Sequence, residues 1–500
     1  MQQLKHLVMT TLMLLSFITA SAYDFMVDGL AYNVVSLPDL TCEVAQADTE
    51  YSGDIVIPST VTYQGRTLTV IRIGGNDSEK GAFYKCSALT SVEIPNSVTT
   101  IGTTAFNGCS ALTSIEIPSS VTEIGDYAFG GCSALTSVEI PNSIKWINPG
   151  VFAGCKAFTS VKIPTSVTWI GGSAFSNCSL LTTVEIPNSV TAIYSGAFYN
   201  CSSLTTVEIP NSVTAIYSET FYECSSLTSI VIPNSVTKIG KYAFRYCSSL
   251  TSVVIPNSET WLDDLAFGDC PLKSIIWGPK GNISFNDRYG IEPFENTSLE
   301  YLEILPSVSE SIKIIGSDKK TRPELPSLKK LSLGRSLLAD EIGSALCPAL
   351  TDLELTGHVK SFEIGGAPSI KNLTIDNGVE LTTGAYGAYM SKYDKLECIT
   401  MKGDVPRFIP TFAHTTYFNA KLRVPKGTLQ AYQNAEGWEN FWNIEEYEVE
   451  VGIDEVPVEV GDKTECGRYD LHGRPVDDTY RGVTIIRYTD GSARKVMTTR

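Results

Sequence analysis

The chain has 500 residues, a formal net charge of -17, and 43% hydrophobic against 19% charged residues. A chain this acidic is repelled by nucleic acid and by anionic membrane surfaces, so neither is expected as a partner. Its length exceeds one ordinary hydrophobic core, a limit that repeat arrays escape because each unit contacts only its neighbours.

Residues 1–22 open with Lys5 and His6, continue through an apolar run from Val8 to Ile18, and end in Ala20-Ser21-Ala22. A positive head, an apolar middle and small residues at the cut describe a secretory signal peptide. The apolar run is too short for a permanent anchor, and no later segment is long enough to span a bilayer as a helix. No cysteine comes directly after the cut, so lipid anchoring is not expected. The mature chain is therefore expected to be exported, either to the cell surface in association with an outer membrane or into the medium. Residues 23–82 carry only traces of a repeat, in DIVIPSTV (Asp54 to Val61) and TLTVIRIG (Thr67 to Gly74), and read as an N-terminal cap with the first atypical repeats.

Between 83 and 270 the chain repeats every 23 residues on the stencil L-x-x-V-x-I-P-x-x-V-x-x-I-x-x-x-A-F-x-x-C. Phenylalanines recur at 83, 106, 129, 152, 175, 198, 221, 244 and 267. This period and this head predict a leucine-rich repeat solenoid, with short parallel strands on a concave face. In the copy at Leu89 to Cys109, Val92 and Ile94 alternate with Ser91 and Glu93, which places the first pair inward and the second toward solvent. Pro95 lacks the N–H that a ladder needs, so the strand ends there. Val98 and Ile101 turn back to the core, and the spacing of Ala105, Phe106 and Cys109 predicts one helical or 3₁₀ turn. Strands stacked about 4.8 Å apart let the nine copies span roughly 40 Å as a curved wall. No cofactor is needed to hold such columns together.

From 271 to 420 the head persists at intervals of 20 to 29 residues, as Leu302/Ile304, Leu331/Leu333, Leu353/Leu355, Leu373/Ile375 and Ile399/Met401, and reads as degenerate repeats. Residues 421–447 begin as a strand and continue as a helical stretch ending in Trp438, Phe441 and Trp442, a C-terminal cap whose aromatics should cover the last repeat. Residues 448–465 are an acidic linker. Residues 466–500 carry turn signals at His472-Gly473 and Asp490-Gly491 and are expected to form a small β module.

The repeat LTSVEIPNSVTTIGTTAFNGCS, the opening YDFMVDGLAYNVVS and the ending KLRVPKGTLQAYQNAEGW together resemble the BspA-like leucine-rich repeat surface proteins of Bacteroides-type bacteria. The resemblance covers about residues 23 to 445. It implies an exposed β/α solenoid acting as an adhesin toward host extracellular matrix or cell-surface proteins, and it brings no catalytic residues. The tail RYDLHGRPV…GVTIIRYTDGSARKV is similar to C-terminal modules of exported proteins in those bacteria, some of which are type IX secretion sorting signals. It departs from their pattern at Thr484, where an aromatic is common.

Three sets of residues are candidates for function. Nine cysteines (86, 109, 132, 155, 178, 201, 224, 247, 270) share one column next to the inward phenylalanines and are expected to be buried thiols. No C-x-x-C pair or nearby histidine supplies a zinc site. Glu93, Glu116, Glu139, Lys162, Glu185 and Glu208 share the solvent-facing strand position, which is either a solvated edge or a negative stripe for a basic partner or divalent cation. Trp146 and Trp169 share a variable position, Tyr194 and Tyr217 replace a glycine in the next two copies, and all four are expected together on one flank. Such a patch either fills space between repeats or marks an interaction site for a protein or a sugar. No G-x-S-x-G, H-E-x-x-H, P-loop or dinucleotide motif is present, so no enzyme, metal or cofactor is expected. The chain is read as a monomer that binds a host protein, with a glycan or mucin as the alternative ligand of the Trp/Tyr patch.

Overall fold

The computed structural model describes residues 23–75, 81–255, 260–278, 283–285, 298–306, 314–316, 325, 327–337, 347–362, 369–377, 379, 381, 390, 393–405, 409–448, 465–470, 482–488 and 493–498. The signal peptide, most of the linker and the two tail turns lie outside these residues. The chain divides into two compact units, residues 1–179 and 180–500, and the fold within each is a parallel-strand β-solenoid with very few helices.

The first unit opens with three antiparallel strands, Phe25–Val27, Leu30–Ser36 and Thr41–Ala45. The third pairs in parallel with Arg66–Ile73, which also folds back on Thr60–Tyr63. Stacking of Phe25 on Tyr63, centroids 4.4 Å apart, packs the antiparallel strands against that hairpin. This start converts an antiparallel edge into a parallel template, because Arg66–Ile73 then pairs with Thr100–Ile101, and that with Glu123–Ile124. A second parallel ladder joins Gly53–Val56 to Leu89–Glu93.

A coil carries up to two short strands, such as Leu89–Glu93 and Thr100–Ile101 in one coil, while the head segments at 112–117 and 135–140 run alongside without a strand ladder. The head strand is the one the alternation predicts: Val92, Ile115 and Val161 are buried while Glu93, Glu116 and Lys162 are exposed. The second is only two residues long, as in Thr100–Ile101 and Trp169–Ile170, and is too short to show a period of its own. The third side forms no helix; of the helical or 3₁₀ turn expected there it keeps only single i→i+3 bonds. Thr104 and Gly108 both adopt left-handed conformations, with φ of 53° and 82°. These break a helix into a chain of tight turns (Asn107 N–H to Thr104 O 3.0 Å, Cys109 N–H to Phe106 O 3.1 Å). The remaining amides then point along the stack, so Thr104 N–H reaches Asp126 O and Phe106 N–H reaches Ala128 O, at 2.9 and 2.7 Å. Neighbouring coils are therefore stitched together on this side as well as through their strands.

Identical residues stack in the core. Phe83, Phe106, Phe129 and Phe152 succeed one another at centroid spacings of 5.0, 5.2 and 5.6 Å within 8° of parallel. In the second unit Phe198, Phe221, Phe244 and Phe267 repeat the arrangement at 5.5, 5.3 and 5.0 Å. Such pairs contribute about 0.5–1.5 kcal/mol each beyond the burial of their surface. The cysteine column lies beside them as buried free thiols. Its S–H groups give a second bond to carbonyls that already accept within the turns: Cys109 donates to Phe83 O at 3.1 Å, Cys132 to Phe106 O at 3.2 Å and Cys224 to Phe198 O at 3.3 Å. Burial pushes the thiols of Cys132, Cys178 and Cys224 up to about 12, which leaves them protonated and unreactive.

The second unit contains a ten-stranded parallel sheet running from Ser229–Val231 to Asn443–Tyr447. Its register aligns Ile230, Val253, Ile275, Leu302, Leu331, Leu353, Leu373, Ile399 and Leu422, so the heads read in the degenerate copies keep one inward column despite loops of unequal length. The end of the stack departs from the single capping helix expected. Two short helices, α1 (His414–Asn419) and α2 (Leu429–Gln433), flank Lys421–Pro425, and Asn443–Tyr447 closes the sheet. Trp438 and Phe441 are buried against Phe412, but Trp442 is 75% exposed beside Phe418. α2 ends at Gln433 and the chain continues in turns, with Gly437 at φ 81°, that send Phe441 inward and Trp442 outward. Strands Glu465–Asp470, Gly482–Tyr488 and Ala493–Thr498 form a separate three-stranded antiparallel sheet.

Candidate functional site

Glu93, Glu116, Glu139 and Lys162 in the first unit, and Glu185 and Glu208 in the second, are all exposed at the outward position of the head segment, which is a strand at Glu93, Lys162 and Glu185. None of the six forms an ion pair among the described residues. Further along the second unit the same outward row reads Val231, Val254, Ile276, Glu303, Ser332, Glu354, Thr374, Thr400 and Arg423. Here charges are answered by opposite charges. Glu354 lies between Lys402 Nζ at 2.6 Å and Lys330 Nζ at 3.4 Å. Burial opposes its ionisation, yet the two ammonium groups hold its carboxyl below the usual carboxylate range. Glu445 is paired in the same way with Lys421 and Arg423.

Within each unit two of the aromatic candidates meet. Trp146 and Trp169 stack at 6.2 Å within 4° of parallel, carried by the second strand of their coils, where Ile147 bridges Ile170. Tyr194 and Tyr217 meet at 5.1 Å and 35°. Trp146, Tyr194 and Tyr217 are exposed and stand off the core columns.

A larger cluster in the second unit escapes a reading of the sequence by single copies. Tyr199 stacks on Tyr222 at 4.8 Å and 6°, and Tyr222 meets Tyr246 edge-on at 5.5 Å. The Arg245 guanidinium sits over the rings of Tyr246 (4.6 Å) and Tyr242 (5.2 Å), and its Nε pairs with Asp269 at 2.9 Å. Lys241 lies over Tyr242 as well, at 4.8 Å. Tyr242 and Tyr246 both hold left-handed backbone, at φ 61°, on rows where other coils place Gly150, Gly196, Gly131 and Gly154. The left-handed backbone belongs to the coil, since Tyr127, Ser173, Glu219 and Leu265 hold it on the first row and Lys85, Asn177, Glu223 and Asp269 on the second. Aligning the coils exposes the signal: 199, 222 and 245 are one row, 223 and 246 another. The same alignment puts Trp261, 67% exposed, on the row of Trp146 and Trp169.

No group of three or more His, Cys, Asp or Glu side chains among the described residues is placed to hold a metal ion. No helix among them is long and apolar enough to cross a membrane.

Residues 77–188 and 174–289 match the family model described as a BspA type leucine rich repeat region, in 6 copies. A leucine-rich repeat protein from Bacteroides ovatus is similar at 26% identity and a TM-score of 0.50, over 76% of this chain and 100% of that one. A leucine rich cell surface protein from Faecalibacterium prausnitzii shares 22% identity, covering 84% of this chain and 94% of its own, with a TM-score of 0.39. A leucine rich repeat protein from T. pallidum shares 29% identity over 41% of this chain and 90% of its own, with a TM-score of 0.35. No curated protein matches the chain.

Proposed function

We infer, from a chain whose residues 77–289 are BspA-type leucine-rich repeats, that it is a non-enzymatic scaffold exported to the bacterial surface or secreted. Its role is adhesin-like: it binds host extracellular proteins or other cells. The observation that carries this reading is the cluster of Tyr199, Tyr222, Tyr242, Tyr246 and Arg245. Tyrosine, tryptophan and arginine dominate the energetics of protein interfaces, because they offer large rigid contact area at low entropic cost. Trp146 and Trp169 supply a second anchor in the first unit. The Glu row adds a negative field that attracts basic partners and makes association salt-dependent.

Binding of the exported chain to immobilised, purified extracellular-matrix proteins tests the reading. Replacing Tyr222 and Tyr246 by Ala should weaken capture at least tenfold, with the melting transition unchanged. Full capture by that variant, or no capture of any matrix protein by the parent chain, would remove the reading.

A further inference from the structure

Within the second unit the outward row of the head segments changes its chemistry while the coils that carry it stay in step. Thr205 N–H reaches Thr182 O at 3.2 Å, Thr228 N–H reaches Thr205 O at 3.3 Å, and Thr251 N–H reaches Thr228 O at 3.4 Å. Three residues beyond these threonines the row reads Glu185, Glu208, Val231 and Val254, and strand register places Ile276 beside Val254. The two glutamates are exposed and the three aliphatic side chains half-buried. Their predecessors in the chain, Ile230, Val253 and Ile275, are 3, 1 and 0% exposed. This alternation fixes the facing of the row: the core takes the predecessors, and the row itself looks outward. Ser229, Ser252 and Ser274 share the outward face two residues earlier, side chains too small to shade the aliphatic trio.

The fold does not ask for aliphatic residues here. The coil from Leu227 to Cys247 keeps the leucine, proline, phenylalanine and cysteine of the regular stencil, yet carries valine at 231 where 93, 116, 139, 185 and 208 are glutamate. Adjacent aliphatic side chains on an outward sheet face invite association, and charge ordinarily guards against it. The two charges that precede the trio bound what it can meet. Glu185 and Glu208 form no ion pair among the described residues. Two open carboxylates followed by three aliphatic side chains complement a partner that presents cations and then an apolar stretch.

Spacing selects the partner's backbone. From Glu185 to Ile276 there are four coil steps, about 19 Å at about 4.8 Å each. An α-helix lying along the stack repeats a face once per turn of about 5.4 Å, so four turns advance about 22 Å. An extended chain repeats a face every second residue and advances about 27 Å, which puts it more than one coil out of register.

We propose that this row docks an amphipathic helix of a partner protein, with basic turns on Glu185 and Glu208 and aliphatic turns on Val231, Val254 and Ile276. The proposal rests on the protein-binding reading and uses no residue of the tyrosine–arginine cluster.

The probe is a labelled helical peptide of about 18 residues with arginine on two successive turns and leucine on the next three along one face. A second peptide carries glutamate in place of arginine. Fluorescence anisotropy with the full chain should show saturable, salt-weakened binding of the arginine peptide and at least tenfold weaker binding of the other. Val231→Glu with Val254→Glu, the residue of the earlier coils, should weaken the arginine peptide at least tenfold with melting unchanged, and Val231→Ser with Val254→Ser severalfold. Glu185→Lys with Glu208→Lys should invert the preference between the peptides. Tyr222→Ala should bind the arginine peptide like the parent while losing matrix-protein capture. A parent chain that captures matrix proteins but binds neither peptide, or both alike, overturns this proposal and leaves the protein-binding reading standing. Valine variants that bind like the parent, or a lysine variant that keeps the parent's preference, also overturn it.

Discussion

The regular coils from 83 to 270 and the degenerate coils beyond them bury the same kind of strand but hold it in different ways. In the regular coils like stacks on like: phenylalanine rings lie face to face, and a thiol such as Cys132 serves the carbonyl of the coil before it. In the degenerate coils the loops vary and contacts are complementary. Lys330, Glu354 and Lys402 alternate in sign across the sheet, and a buried guanidinium joins separate coils, with Arg335 donating to Leu305 O at 3.1 Å and Gly278 O at 2.7 Å. Self-stacking needs an exact period, because one coil out of step loses its partners on both sides. Complementary pairing tolerates insertions, since each contact is satisfied by a particular residue and not by its own copy. The difference teaches that repetition in this chain is a property of the scaffold, while individuality marks either a bespoke structural contact or a surface free to recognise something.

The comparison can be tested by breaking each kind of contact. Phe129→Ala removes a ring sandwiched between Phe106 and Phe152 and should cost about 3–5 kcal/mol in denaturant unfolding. A loss below about 1 kcal/mol would mean that the coils do not depend on the stacked column. Alkali should act on the regular coils through their thiols. Their folded values are raised from 9.0 to about 12, so the protonated thiol favours the fold, and that stability is whole below pH 9 and is lost between pH 9 and 12. Each thiol then costs roughly 1.4 kcal/mol per pH unit, so Cys132, Cys178 and Cys224 together withdraw about 4 kcal/mol at pH 10. Denaturant midpoints measured under reducing conditions from about pH 8 to 10.5 should fall steeply, and a flat profile would contradict the burial of the column. In the degenerate coils, Arg335→Leu should cost about 2–3 kcal/mol by leaving Leu305 O and Gly278 O without their charged donor. Tyr246→Gly should change stability by no more than about 1 kcal/mol, in the stabilising direction if relief of the left-handed backbone outweighs the lost ring contacts. That substitution should still weaken matrix-protein capture.

The same physics decides how much of this is legible in the sequence. The inward columns are readable because Phe, Cys and the strand-head aliphatics must recur at one spacing to stack, and even the uneven heads such as Leu331 and Leu353 land in register. The second strand is not, since two residues cannot display a period. The tight turns hide behind the spacing of Ala105, Phe106 and Cys109, which a helix would share; only the left-handed conformations of Thr104 and Gly108 separate the two. Helical spacing points Trp442 inward with the rest of the cap, but the helix stops at Gln433 and the turns after it leave Trp442 out. The Tyr222–Arg245–Tyr246 cluster is built across neighbouring coils from residues that look ordinary in any one of them. Its signal lies in comparing coils row by row.

Scaffold and recognition meet in two adjacent residues. Phe221 points into the ring column between Phe198 and Phe244, and Tyr222 points out between Tyr199 and Tyr246. The decisive measurement takes Phe221→Ala and Tyr222→Ala and records for each both denaturant unfolding and capture by matrix proteins. Division of labour predicts that Phe221→Ala loses about 3–5 kcal/mol of stability, while Tyr222→Ala keeps its unfolding midpoint and binds at least tenfold more weakly. A Tyr222→Ala chain that unfolds as early as Phe221→Ala, or that binds as tightly as the parent, would contradict it.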